Sequence, residues 1–207
     1  MNDVDIIDAF EETISTYAGA KYGVAVSSCT NAIFLCLQYL KYIDELKDND
    51  KIVIPSRTYL SVPCSIKNSG LNVTFMDMDW SGLYQLWPTK IWDSAVRFTK
   101  DMYVGKNALQ CISFQYRKHL KMGRGGMILT NNKKAVKWLK QARFNGRHEG
   151  TPQHKDILDF CGWNMYMLPE DAAKGLTLFN VLPEVNPDCK CQDDYPDLSK
   201  QRVFKDE

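Results

Sequence analysis

Tyr22-Gly-Val-Ala-Val-Ser-Ser-Cys-Thr30 decides the fold class. Tyr22–Val26 is a short apolar run of strand length, and it passes without a linker into small hydroxyl residues. Ser27, Ser28 and Thr30 offer N-cap oxygens, and a helix-like run over 31–43 begins directly after them. A strand that runs through a cap into a helix is the repeating unit of an α/β layered protein. The same turn leaves free backbone N–H groups at the helix start, where anions are favoured.

Working outward, the alternation continues. Upstream, Ile6, Ile7, Phe10, Ile14 and Tyr17 fall at helical spacing over residues 5–17, with Gly19 as a stop. Downstream, Lys51–Pro55 and Asn72–Met76 read as strands around a helical stretch at 58–67. Residues 89–92 form a short strand that ends on Asp93, and 110–114 and Gly126–Thr130 read as two more. Residues 132–144 carry Val136, Leu139 and Ala142 on one side and lysines on the other, an amphipathic helix. Strands alternating with helices predict a mainly parallel sheet flanked by helices. No internal repeat or low-complexity linker interrupts it. From Leu182 the chain is rich in Pro, Asp and Lys and reads as a loosely structured tail, so residues 1–180 are expected to form one domain and 181–207 a short C-terminal extension.

Composition narrows the class. A chain of 207 residues, 44% hydrophobic and with 5 tryptophans, has enough apolar surface for a real core. Its formal net charge of +1 points to no partner, but the distribution does. Between Asp101 and Glu149 there is no acidic residue, while Lys106, Arg117, Lys118, Lys121, Arg124, Arg143 and Arg147 fall there together with Lys133, Lys134, Lys137 and Lys140. Such a block attracts anions, although the lysines after Asn131 fit the solvated face of the amphipathic helix. The 7 cysteines are odd in number and scattered, mostly in apolar runs, as expected of buried free thiols in a reducing compartment. Cys189 and Cys191 form a lone C-x-C, which without a second pair is weak support for zinc. No apolar run reaches the ~18 residues needed to span a bilayer, and the start of the chain shows no signal segment, so a cytoplasmic protein is expected.

Several segments carry chemistry. Lys118 lies in Ser113-Phe-Gln-Tyr-Arg-Lys-His-Leu-Lys-Met-Gly-Arg-Gly-Gly126, after an apolar strand and before a glycine-rich turn. Arg117, His119, Lys121 and Arg124 give it a cationic neighbourhood, one way to favour loss of the amine proton. Asp93 ends its strand, where an open α/β sheet presents ligand-binding groups. Taken with Pro55-Ser-Arg-Thr-Tyr59, Asn145-Gly-Arg147 and Gly162-Trp-Asn164, these stretches and the opening one form an ordered set over roughly residues 8–180. The set resembles the sugar aminotransferases of the DegT/DnrJ/EryC1/StrS family.

The resemblance implies the large domain of a fold-type I pyridoxal-phosphate enzyme, usually a homodimer. It implies Lys118 as the Schiff-base lysine and proton-moving base, and Asp93 as the partner of the pyridinium nitrogen. Ser28, Cys29, Thr30 and Ser113 would hold the phosphate, Tyr59 would stack on the ring, and Asn164 would reach the phosphate of the other subunit. The implied substrates are a nucleotide-linked keto-sugar and Glu or Gln as amino donor.

The chain also departs from the pattern. Only residues 77–92 separate Met76 from Asp93, where the family places a further strand–helix unit. The N-terminal segment with its substrate-facing turn and most of the C-terminal small domain have no counterpart. Val96 stands where the family prefers Gln or His, Gln115 replaces a common His, and Arg124 replaces the usual Glu between glycines. Two other functions remain open on these residues. Some relatives dehydrate the sugar, typically with a non-lysine at the position of Lys118. A non-catalytic remnant that binds a partner or nucleic acid through its basic face is the other, although nucleic acid is not the expected partner.

Overall fold

The computed structural model describes residues 3–190 and 194–205. Helices α1 (Asp3–Ala18), α2 (Cys29–Tyr42), α3 (Ser61–Asn68), α4 (Lys133–Ala142) and α5 (Pro169–Phe179) surround the strands β1 (Tyr22–Val26), β2 (Lys51–Pro55), β3 (Asn72–Met76), β4 (Tyr84–Gln85), β5 (Ile91–Asp93), β6 (Leu109–Ser113) and β7 (Gly126–Thr130). The main sheet is 5-stranded in the order β1-β7-β6-β5-β4, and β2 and β3 form a parallel pair of their own. The expectation of an α/β protein holds, but the sheet is mixed. β1, β5 and β6 run one way, whereas β7 and β4 run the other, so only the β5–β6 pairing is parallel. The period-2 apolar patterns that mark strands carry no information on direction, which is why β7 was not expected to reverse, and β4 was not expected at all.

Side-chain alternation assigns the layers. Val24 and Val26 of β1, Leu109 and Cys111 of β6 and Ile128 of β7 pack on one face with Ile33, Leu37 and Leu40 of α2 and Leu139 of α4. Ala25, Ile112, Met127 and Leu129 leave the opposite face and meet Phe10 and Ile14 of α1 and Ala172 of α5. Each fully buried Leu, Ile or Phe contributes about 1.5–3 kcal/mol of transfer free energy, so the two layers hold the sheet between them. Gly19, at φ 79, ends α1 in the left-handed region as its position suggests. Asn132 caps α4 by accepting from the N–H groups of Lys134 (3.0 Å) and Ala135 (3.3 Å).

Two expectations change. The basic block does not form one surface: Lys133, Lys134 and Lys137 are exposed on α4, but Arg143 is fully buried. Its guanidinium pairs with Glu11 and with Glu149, the latter at 2.7 Å, while Glu11 also accepts from the Ala25 N–H at 2.8 Å. The thiols, too, are less uniformly buried than their apolar neighbours suggested. Cys36 and Cys111 are buried, Cys29, Cys64 and Cys189 are intermediate, and Cys161 is exposed.

The segment from Leu182 is also more ordered than its composition suggested. Asp188 receives two hydrogen bonds from Arg97 (2.9 and 2.7 Å), and the Cys189 N–H donates to Val96 O at 2.8 Å. Beyond residues 191–193, Leu198 is buried and donates its N–H to Ser56 O at 2.8 Å, with 3-10 turns at Leu198–Lys200 and Arg202–Phe204. Cys191 of the C-x-C pair lies outside the described residues, and Cys189 Sγ sits 3.6 Å from His119 Nδ1.

Candidate active site

The C-terminal end of β1, the start of α2, the end of β5 and the loop after β6 converge on a cavity of about 820 Å³. Ser28, Cys29, Thr30, Tyr59, Asp93, Ser113 and Lys118 all line it. Asn164 is not among the lining residues: it is exposed and bridges to Phe144.

The β1–α2 turn is built for close approach. Ser28 is extended (φ −167) and its Oγ accepts from the Asn31 N–H at 3.1 Å, which leaves its own O–H to donate elsewhere. The N–H groups of Cys29 and Thr30 stand at a helix start and have no intrahelical acceptor. No acidic residue occupies the first turn of α2. The Thr30 hydroxyl donates to Ser61 Oγ at 2.9 Å. Gly126 makes the geometry possible: a Cβ there would lie 2.5 Å from Cys29 N and from Ser28 C, so only glycine lets β7 pass beneath the loop. Ser113, at the end of β6, accepts from the Gln115 N–H at 3.4 Å and likewise keeps its hydroxyl proton.

Lys118 is buried, 8% exposed, in a loop tied by its N–H to Gln115 O at 2.8 Å. Asp93 is 5% exposed; its Oδ1 accepts from the Ala95 N–H at 2.9 Å and its Oδ2 from the Tyr84 hydroxyl at 2.8 Å. Burial pushes the Asp93 carboxyl above its usual range, against the Ala95 and Tyr84 donors and the Lys118 charge. Burial, and then the Asp93 charge, push the Cys29 thiol well up, so Cys29 is neutral at ordinary pH. Arg117 and Arg124 also line the cavity, and Arg124 Nε donates to Ser27 O at 3.0 Å. His119 and Lys121 do not reach it; His119 Nε2 instead lies 2.6 Å from Pro187 O. Tyr59 is half exposed, and its ring faces that of Tyr195, centroids 6.1 Å apart.

Sequence reasoning missed part of the lining. Thr58 lines the cavity and is joined hydroxyl to hydroxyl at 2.6 Å to Tyr84, which holds Asp93 from behind, and Tyr195, Pro196 and Leu198 line it from the C-terminal segment. Tyr84 lies in Leu83-Tyr-Gln-Leu-Trp87, which does not alternate, so the short β4 that carries it has no periodic signal.

The model of the DegT/DnrJ/EryC1/StrS aminotransferase family matches residues 4–102 and 98–188. The chain belongs to this family. Relatives differ in what they do. An uncharacterized protein of Methanocaldococcus jannaschii is 22% identical over 81% of this chain and 55% of its own length. The dTDP-3-amino-3,6-dideoxy-alpha-D-galactopyranose transaminase of Aneurinibacillus thermoaerophilus is 26% identical over 47% of this chain and 26% of that protein. Among solved structures, the E. coli GDP-4-keto-6-deoxy-D-mannose-3-dehydratase with bound hydrated PLP has a TM-score of 0.67 at 18% identity, covering 84% of this chain and 60% of that one. The fold is therefore that of fold-type I pyridoxal-phosphate enzymes, and pyridoxal phosphate is the family's cofactor. Transaminase and dehydratase both occur among the relatives, and the chain spans about half the length of the first curated relative it matches.

The residues present fit that cofactor. A helix start without acids, with hydroxyls from Ser28 and Ser113 and a glycine-floored cradle, suits a phosphate. A buried amine and a buried carboxyl in one cavity suit an aldehyde and a ring nitrogen.

Proposed function

We propose that this protein is a pyridoxal-phosphate-dependent aminotransferase that moves an amino group from Glu or Gln to a nucleotide-linked keto-sugar. The observation that carries the reading is the meeting of Lys118, Asp93, Ser28, Cys29, Thr30 and Ser113 around one cavity, although they lie on separate elements. When bound, the cofactor supplies an electron sink for the substrate carbon. The chain supplies the rest. The N–H groups at the start of α2 and the hydroxyls of Ser28 and Ser113 hold the phosphate. Asp93, kept in place by Ala95 and Tyr84, would pair with the ring nitrogen. Lys118 Nζ would hold the aldehyde, and it is the amine placed to move a proton at the substrate carbon. Arg117 and Arg124 add positive charge suited to a nucleotide diphosphate. Tyr59 is the candidate ring contact, and Asn164 serves the partner's phosphate in a homodimer. The free thiols among the described residues suit a reducing place of work such as the cytoplasm.

Lys118 favours transamination over the dehydration performed by other members. Single-turnover spectra separate the two: with Glu or Gln, the visible band of the loaded protein should convert to the near-ultraviolet band of the aminated cofactor, and a keto-sugar should restore it. Loss of water from the sugar without net amino transfer would assign the dehydratase reaction instead.

A further inference from the structure

A buried chain of hydroxyls stands behind Asp93. β4 and β5 pair antiparallel with Tyr84 directly opposite Asp93, so the two side chains leave the sheet on one face. The Tyr84 hydroxyl donates to Asp93 Oδ2 at 2.8 Å. With that proton committed, the Thr58 hydroxyl, 2.6 Å away, is the donor to the Tyr84 oxygen. Thr58, Tyr84 and Asp93 are 1%, 4% and 5% exposed, so bulk water does not stand in for any of these bonds. A buried carboxylate short of donors takes up a proton and becomes neutral. A neutral Asp93 would present no charge to a cation in the cavity.

We propose that Tyr84, braced by Thr58, is a positioning residue that keeps the Asp93 carboxyl ionised and in one orientation toward a cationic ring nitrogen. The proposal rests on the cofactor reading for the group that Asp93 faces, and on the hydroxyl chain for everything else. The remaining titratable groups around Asp93 are Lys118 in the loop after β6, Cys29 at the start of α2 and Cys111, its register neighbour on β6. Lys118 favours the ionised form, as Tyr84 does. Both thiols are held well above their usual range by burial, so they are neutral across the acidic and neutral range. Burial, followed by the Asp93 charge, also pushes the Tyr84 phenol well up, so it retains the proton it donates. The short run 77–92, which departs from the family pattern, is what brings Tyr84 opposite Asp93.

Tyr84→Phe keeps the ring and removes the donor. The full chain without cofactor is unfolded in urea across pH as the parent, Tyr84→Phe, Asp93→Asn and the double variant. Asp93 has a raised folded-state pKa, so its ionised form costs stability above that pKa and nothing once both states are protonated. Removing the donor enlarges that cost. The loss in Tyr84→Phe should therefore be greatest near neutral pH, shrink as pH falls through the Asp93 titration, and become independent of pH in the Asp93→Asn background. Pyridoxal phosphate titration should then show about ten-fold weaker binding for Tyr84→Phe near neutrality, the size of one charge-assisted hydrogen bond, with the gap narrowing as pH rises. A loss that is the same at every pH and with either residue at position 93 would overturn the proposal. Coupling without cofactor binding, even by the parent, would remove the cofactor reading and leave the hold on Asp93 standing. Should Tyr84→Phe not fold, Thr58→Val is expected to show the same pattern in smaller size, and its absence there overturns the proposal equally.

Discussion

Two places in this molecule bury charge, and they resolve the cost differently. On the α1–α4 side, Arg143 is fully buried; desolvation works against its charge, but Glu11 and Glu149 more than offset it and its pKa is raised. At the cavity, burial wins over the donors around Asp93 and its pKa is raised as well, which for an acid means that the charged form is disfavoured. The first cluster pairs charge with charge: besides Arg143, Glu11 takes the Ala25 N–H and the Lys140 ammonium (2.8 Å). The second borders an open cavity of about 820 Å³. Full compensation by opposite charges marks a structural group, whereas a carboxyl held at a cost beside a large cavity marks a site kept for a ligand.

Substitutions should separate the two. The largest effect is expected from Lys118→Ala, which should abolish the visible band on adding pyridoxal phosphate while the chain still unfolds cooperatively in urea. Arg143→Met removes the buried cation between Glu11 and Glu149, leaving Glu11 with Lys140 and the Ala25 N–H, and should cost about 3 kcal/mol of stability by urea titration, the low end for a broken buried pair, with cofactor affinity of the folded fraction unchanged. Asp93→Asn should do the reverse. Transamination falls about 10²-fold, as when one preorganised electrostatic group is lost, and stability at neutral pH does not drop, because the raised pKa means ionised Asp93 was a cost there. A fall in stability with activity intact would erase the contrast between the clusters. The smallest effect belongs to the α4 cap: Asn132→Ala removes two hydrogen bonds far from the cavity and should cost about 1 kcal/mol in thermal unfolding, with no change in cofactor binding.

Much of the architecture was legible because it rests on apolar periodicity. β1, β2, β3 and β7 fall where their apolar runs end, and the lysine-edged pattern of α4 marks its buried face. Strand direction was not legible, since alternation is the same either way along the chain. α5 was overlooked, although Pro169 at its first turn with Glu170 and Asp171 is a helix start that composition already displays. Within the cavity, Lys118 and Asp93 stood out only because several segments occur in one order. Tyr84 did not, since its partner lies across a two-residue strand. Arg143 read as one more member of a basic block, because pairing with Glu11 joins residues far apart in the chain. The C-terminal segment read as loose because Pro, Asp and Lys dominate it. A few apolar anchors decide its course: Leu198 is buried, and the Phe204 ring sits 5.6 Å from that of Phe75.

The central claim is that Lys118 anchors the cofactor, and one measurement addresses it directly. The full chain is incubated with pyridoxal phosphate, reduced with borohydride, digested, and its modified lysine located by mass spectrometry. The expected result is a single, near-stoichiometric pyridoxyl adduct on Lys118 that disappears when the cavity phosphate site is filled first with excess inorganic phosphate. Modification spread over the exposed lysines of α4, or none at Lys118, would contradict it.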